Sequence, residues 1–195
     1  MGIVAGLNAV LAARFPPDNR RLDLEEPATG ADLVVIGKRG ESADFAKLHL
    51  GGSPERVIRG CHKPVLVASR AFQPIERMLI AYDGGPSARK AVAYAAGQPL
   101  LRDLHCHFLA VDAPASALEA GLAEARDRLA GAGYEVQAEH LPGDPEKVIA
   151  ETVRREGIQL LVMGAYGHSR IRQFIVGSTT TTMVRTCLVP VLMFR

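Results

Sequence analysis

Near the C-terminal end of the chain, two glycine sites frame one loop: Gly164-x2-Gly167, nine intervening residues, then Gly177-Ser178-Thr179-Thr180. Glycine after a strand permits positive φ and removes the Cβ that keeps an anion away from the backbone. A helix opened by Gly-Ser-Thr-Thr offers unpaired N–H groups, the positive end of a helix dipole and several hydroxyl donors. Together these features form a cradle for a phosphate. Glycine pairs also serve tight turns and Ser/Thr runs also cap helices, but two sites around one loop favour the phosphate. His168, Arg170 and Arg172 lie within that loop, where they either screen a polyphosphate or stand in solvent. The chain has no GxxxxGK[ST] and no GxGxxG between a strand and a helix. Without a P-loop lysine or a metal-binding carboxylate beside it, the cradle is suited to holding phosphates, not transferring them.

The elements around this loop alternate regularly. Met78–Tyr82 is a short apolar strand ending at Asp83, followed by the turn Gly84-Gly85-Pro86; Ser87 can cap a helix to about Ala96. His107–Val111 is the next strand. Leu118, Leu122, Ala125 and Leu129 recur at helical spacing, and Gly131-x-Gly133 stops that helix. A strand is predicted over Tyr134–His140, with Val136 and Ala138 on one face. Asp144-Pro145 opens another helix, whose buried stripe is Val148, Ile149 and Val153. Leu160–Met163 is continuously apolar, as in a strand covered on both faces. The helix after Gly177 runs to about Cys187, and Val191–Phe194 is the last strand. This order predicts an α/β fold built on an open, doubly wound parallel sheet.

The chain also repeats itself. Residues 31–70 and 158–195 share an apolar run, Gly-x-x-Gly, a second glycine site, a cysteine and Pro-Val-Leu. Gly37 and Gly40 precede Gly164 and Gly167 by 127 residues, whereas Cys61 and Pro64 precede Cys187 and Pro190 by 126. The first copy therefore carries one extra residue after Gly40. Nothing before it resembles the strand and helices ahead of the second copy: PDNRRLDLEEPATG, with Pro17 and Pro27, stands where the second has DPEKVIAETVRREG. The reading is an unmatched leader at 1–30, a half-domain at 31–70, a linker at 71–75 and a complete domain at 75–195. A half-domain of two strands and one helix cannot cover its own sheet, so it is expected to dock on the complete domain in a pseudo-dimeric way.

Composition excludes several classes. Of 195 residues, 48% are hydrophobic and 23% charged, enough apolar material for a core. The 23 basic and 21 acidic residues nearly balance, which gives no footprint for nucleic acid or a membrane surface. No apolar run is long enough for a membrane span. The apolar N-terminus lacks the basic region of a secretory signal, and Cys61, Cys106 and Cys187 form no CxxC pair, so a cytoplasmic, reducing location is expected.

The stretch Gly164-x2-Gly167-x9-Gly177-Ser178-Thr179, ahead of a helix and a Pro-Val-Leu strand, resembles the nucleotide-binding signature of the universal stress protein family. The strand ending in Asp83 resembles that family's opening. The resemblance covers 75–195 as a complete domain and 31–70 as the back half of another. It implies a stress-response protein with the adenine-nucleotide alpha-hydrolase-like fold, often in tandem and usually a homodimer, binding ATP or AMP, with Mg2+ accompanying ATP. Carried over by residue, it puts Ala81, Tyr82 and Asp83 at the adenine and ribose and Ala110 at the base. Gly164, Gly167, Gly177, Ser178, Thr179 and Thr180 would hold the phosphates. Gly84-Gly85-Pro86 departs from the family's common serine after the aspartate. The first copy reads Gly51-Gly52-Ser53-Pro54 at its second site and has no base-binding strand, so one nucleotide site per chain is expected.

His105-Cys106-His107 suggests a metal site, but on a strand the histidines share one face and the cysteine takes the other. Cys61 and Cys187 fit as small core residues, and Asp144 as a helix cap. The resulting reading is a nucleotide-dependent binding module with no catalytic residue and no metal site. The alternatives are a slow ATPase, a protein that phosphorylates itself at Ser178 or a neighbouring threonine, and a nucleotide-free dimerisation partner.

Overall fold

The computed structural model describes residues 32–37, 58, 60–69, 73–111, 115–165, 182–183 and 186–195. In chain order the described elements are β1 (Val34–Gly37), β2 (Val65–Ala68), β3 (Arg77–Tyr82), helix α1 (Pro86–Gly97), β4 (His105–Val111), helix α2 (Ala115–Gly131), β5 (Val136–Leu141), helix α3 (Pro145–Arg155), β6 (Leu160–Gly164) and β7 (Val191–Phe194). The strands form a single seven-stranded sheet in the order β1-β2-β7-β6-β3-β4-β5. All neighbours are parallel except β2 and β7, which run antiparallel.

The sequence repeat reappears in the pairing register. Val34 lies opposite Val65, and Leu161 lies opposite Val191, so the one-residue difference between the copies is absorbed between their strands. Val34 N–H donates to the Pro64 carbonyl (2.9 Å), and Leu161 N–H donates to the Pro190 carbonyl (3.0 Å). At the junction Leu66 faces Leu192, with Val65 opposite Met193 and Val67 opposite Val191. Leu66 thus pairs with its own equivalent, and Val65 and Val67 each pair with the other's equivalent, which is the signature of a local two-fold axis. Equivalent strands related by such an axis must run antiparallel. This accounts for the one departure from a parallel sheet.

Period-two alternation sorts the sheet into two apolar layers. Met78, Ile80, Tyr82, Phe108, Val162, Leu66 and Leu192 face α1 and α2, which contribute Ala88, Ala91, Val92, Ala95, Ala125 and Leu129. Leu79, Leu109, Leu161, Met163, Val67 and Val191 face α3, with Ile149 and Val153, and the chain around Met183 and Cys187. Alanines on α1 let that helix lie close to the sheet. Ser87 does not cap it: Pro86 takes the first helical position, Gly85 is the cap residue, and no side chain bonds the first turn. Asp144 does cap α3, accepting from the N–H groups of Glu146 (3.0 Å) and Lys147 (3.1 Å). Among the described residues no helix is long and apolar enough to cross a membrane.

Candidate functional site

The strand order reverses between β3 and β6: β4 and β5 continue on one side, β7 on the other. In an open α/β sheet the crossovers leave a crevice beyond the carboxyl ends of the strands at such a reversal. β3 ends there at Tyr82 and Asp83, and β6 ends at Gly164, one step beyond the Ala81–Met163 pair. The α1 first turn closes the same corner.

Gly164 is required by this packing. A Cβ built on it would lie 3.0 Å from the Ala88 nitrogen and 3.0 Å from the Ser87 Cβ. Its missing side chain therefore admits the N-terminal turn of α1 to the end of β6. That turn carries the positive end of the helix dipole, and it has no side-chain cap. Asp83 folds back on its own turn, its Oδ1 accepting from the Gly85 N–H (2.8 Å). Gly84 has φ of +74°, so the bend needs glycine there, and a Cβ on Gly85 would lie 2.9 Å from that oxygen and displace the Asp83 carboxylate. The Asp83 side chain remains exposed, and a carboxylate with free lone pairs can accept from hydroxyls or an amine.

Ala81, Tyr82, Asp83, Ala110 and Gly164 are brought together, with Tyr82 directly opposite Ala110. They do not present equal surface. The Tyr82 ring packs on Phe108, with centroids 5.1 Å apart, and is buried in the α1–α2 layer. Burial raises its pKa, opposed by the nearby Arg89 guanidinium. Ala110 is 0% exposed, and β4 continues to Val111, so the accessible surface at this strand end lies beyond Ala110. Ala81 is half-buried on the opposite face. Gly167, Gly177, Ser178, Thr179 and Thr180 lie outside the described residues, as do His168, Arg170 and Arg172.

Arg89 was not among the residues read from the sequence. It follows Pro86 by three positions, and its guanidinium donates to the Gly84 carbonyl. A cation thus flanks the crevice. The helix start at Pro86 would have indicated it, since a residue there can reach back over the preceding turn.

On β4 Cys106 separates from the two histidines, as alternation requires. Cys106 enters the α1–α2 layer, where burial pushes its thiol up to about 12. His107 is buried on the other face, its Nε2 3.3 Å from Glu139 Oε2. Arg155 donates to Glu139 (2.6 Å) and to Glu156 (2.6 Å), and the bond from Arg155 lowers the Glu156 pKa. Among the described residues no cluster of potential ligands suits a metal ion. Cys61, Cys106 and Cys187 are all buried.

Comparison with known proteins matches residues 13–69 and 74–195 to the model of the universal stress protein family. The chain belongs to that family. The match begins at residue 13, so it takes in part of the segment read as a leader. The universal stress protein Slr1230 of Synechocystis is 42% identical over 174 residues, covering 88% of this chain and 61% of that protein. A universal stress protein from Archaeoglobus fulgidus has a TM-score of 0.65 at 24% identity, covering 84% of this chain and 62% of that one. The chain thus spans about three fifths of the length of these two relatives. A universal stress protein solved in complex with cAMP has a TM-score of 0.51 at 24% identity, covering 62% of this chain and 97% of that one. At such identities the structures establish the shared fold.

Proposed function

We propose that this chain is a stress-response binding module holding one adenine nucleotide, ATP or AMP, at the β3–β6 crevice. The observation that carries the reading is the convergence of Asp83, the end of β6 and an uncapped helix N-terminus at the reversal of strand order. Asp83 would accept from the ribose hydroxyls or base amine, with backbone groups of Ala81 and Tyr82 beside the base. The phosphates fall to Gly164, Gly167, Gly177, Ser178, Thr179 and Thr180, and Mg2+ enters only with ATP. A family relative holding cAMP supports the ligand class. The reading assigns no catalytic residue: the nucleotide sets conformation and partner affinity.

The local two-fold through Leu66 and Leu192 supports the companion reading of 31–70 as half of a second domain, seated where another domain would pair. Because β2 occupies the outer edge of β7, a homodimer would need a different surface.

Calorimetry with ATP and AMP on nucleotide-stripped protein tests the proposal, beside mass spectrometry of the ligand that co-purifies. One site per chain is expected. Asp83→Ala should weaken binding by tenfold or more, and Gly177→Val should abolish it. A folded protein giving no heat with either nucleotide, or an Asp83→Ala variant binding like the parent, would overturn it.

A further inference from the structure

The bend that carries Asp83 runs from Tyr82 to Gly85 and is tied to α1 through one residue. The Arg89 backbone N–H donates to the Gly85 carbonyl (3.0 Å), and its guanidinium donates to the Gly84 carbonyl. The same guanidinium hydrogen-bonds the Tyr82 hydroxyl, which opposes the rise that burial imposes on the pKa of that phenol. The residues immediately before and after Asp83 are thus fastened to a single side chain. Both ends of this link are firmly seated. The Tyr82 ring packs on Phe108 (5.1 Å), and Gly121 of α2 admits its hydroxyl, since a Cβ there would lie 3.2 Å from that oxygen. On the other side, α1 is held to the sheet by Ala88, Ala91, Val92 and Ala95.

We infer that Arg89 is the positioning residue for Asp83: by fastening both of its neighbours, the guanidinium fixes the direction in which the carboxylate meets a nucleotide's ribose hydroxyls or base amine. The choice of ligand rests on the nucleotide-binding reading, whereas the fastening of the bend is independent of it. Two consecutive glycines admit the bend and also leave it loose, because glycine loses more conformational freedom on ordering than any other residue. A carboxylate on such a bend needs an outside restraint to keep one direction. Asp83 Oδ1 accepts from the Gly85 N–H (2.8 Å), but that bond holds the carboxylate to the bend, not the bend to the helix. Arg89 supplies the missing link. Arginine suits the task because its planar guanidinium carries its donors in a rigid fork that can serve two acceptors at once, whereas a lysine ammonium is one compact charge. The guanidinium is turned back on the bend, so its part at the crevice is to aim Asp83, not to bind a phosphate.

Amide hydrogen exchange by NMR on the nucleotide-free full chain tests the positioning, with the Gly85 N–H as reporter because it donates to Asp83 Oδ1. Arg89→Met should speed Gly85 exchange about tenfold, and Arg89→Lys nearly as much. Lys90→Met removes the neighbouring charge, whose Nζ lies on the Arg195 carbonyl, and should leave the Gly85 rate as in the parent. An unchanged rate in folded Arg89→Met, or an equal acceleration in Lys90→Met, would overturn the inference whether or not a nucleotide binds. Calorimetry with AMP, 2′-deoxy-AMP and IMP reads the consequence. AMP should bind Arg89→Met about tenfold more weakly than the parent, the scale of one hydrogen bond to a charged group. The parent's preference for AMP over 2′-deoxy-AMP, if Asp83 meets the ribose, or over IMP, if it meets the amine, should fall toward that of Asp83→Ala. Asp83→Ala combined with Arg89→Met should bind no more weakly than Asp83→Ala alone. Additive losses would assign Arg89 to the ligand directly and overturn the inference, as would an Arg89→Lys variant that binds like the parent. A folded parent giving no heat with AMP defeats the nucleotide-binding reading instead, and the Gly85 rates still decide whether Arg89 holds the bend.

Discussion

Replacing Gly164 with alanine adds one methyl group where two layers meet, and the structure sets the consequence. The new Cβ would stand 3.0 Å from the Ala88 nitrogen and 3.0 Å from the Ser87 Cβ, whereas ordinary contact begins near 3.4 Å. The obstructing atoms include backbone, so no side-chain rotation relieves them. α1 is held down by Ala88, Ala91, Val92 and Ala95 on the sheet, and by Tyr94 on Phe194. The strand beneath is fixed by β3 on one side and β7 on the other. Forced expansion of a packed site of this kind costs about 1–3 kcal/mol. Gly131→Ala is the matched control: nothing lies within 4 Å of its added Cβ, and its backbone needs no positive φ. Restricting the unfolded chain should make that variant more stable by about 0.4–1 kcal/mol. The two glycine-to-alanine variants should therefore differ by roughly 1.5–4 kcal/mol in urea unfolding, with unchanged m-values. The same displacement moves the α1 N-terminus at the crevice, so Gly164→Ala should also weaken nucleotide binding. Equal stability of the two variants would refute the close seating of α1 on β6.

Three further outcomes follow from particular contacts. Leu66→Ala and Leu192→Ala should each cost about 2–5 kcal/mol, and as facing residues at the β2–β7 junction they should be non-additive by at least about 0.5 kcal/mol; strict additivity in a double-mutant cycle would argue against that pairing. Thr152 is 0% exposed, and its hydroxyl has no hydrogen-bond partner among the described residues. Thr152→Val should therefore raise stability by about 1 kcal/mol, and chemical unfolding showing a loss would point to an unseen partner. Burial raises the Cys106 thiol to about 12 and moves Tyr134 upward as well. For groups whose folded pKa is raised, stability is complete below the ordinary pKa and declines as pH rises toward the folded value. Thermal unfolding should thus show a loss of stability beginning near pH 9, shallower in Cys106→Ala, and a thiol reagent at pH 8 should leave Cys106 unmodified in the folded protein.

Much of the fold was legible because strand and helix periods changed at punctuated places. Val191–Phe194 appears as read, and Leu160–Met163 is extended only by Gly164. The predicted strand at Tyr134 begins instead at Val136, because Tyr134 closes α2: its N–H bonds the Leu129 carbonyl (3.1 Å) and its hydroxyl bonds the Ala95 carbonyl (2.8 Å). With Gly133 at φ +94°, this is a glycine-terminated helix end, which alternation alone does not reveal. Ala138 is exposed where alternation suggested a shared buried face, because β5 is an edge strand with no further neighbour to cover it. At the site, residue types revealed Asp83 and Gly164 but not how they act. Gly164 was read as room for an anion, whereas its empty Cβ position is taken up by α1, a long-range contact that no local spacing encodes. Arg89 went unread for the same reason: its place at the crevice depends on how α1 enters after Pro86.

The most direct test of the account is photolabelling of the full chain with an adenine nucleotide carrying an azide on the base, followed by peptide mapping. Labelling confined to the peptides holding Ala81–Asp83 and the end of β4, and suppressed by excess AMP, is the result the account predicts. Labelling confined to residues 32–69, or labelling that excess AMP does not suppress, would contradict it.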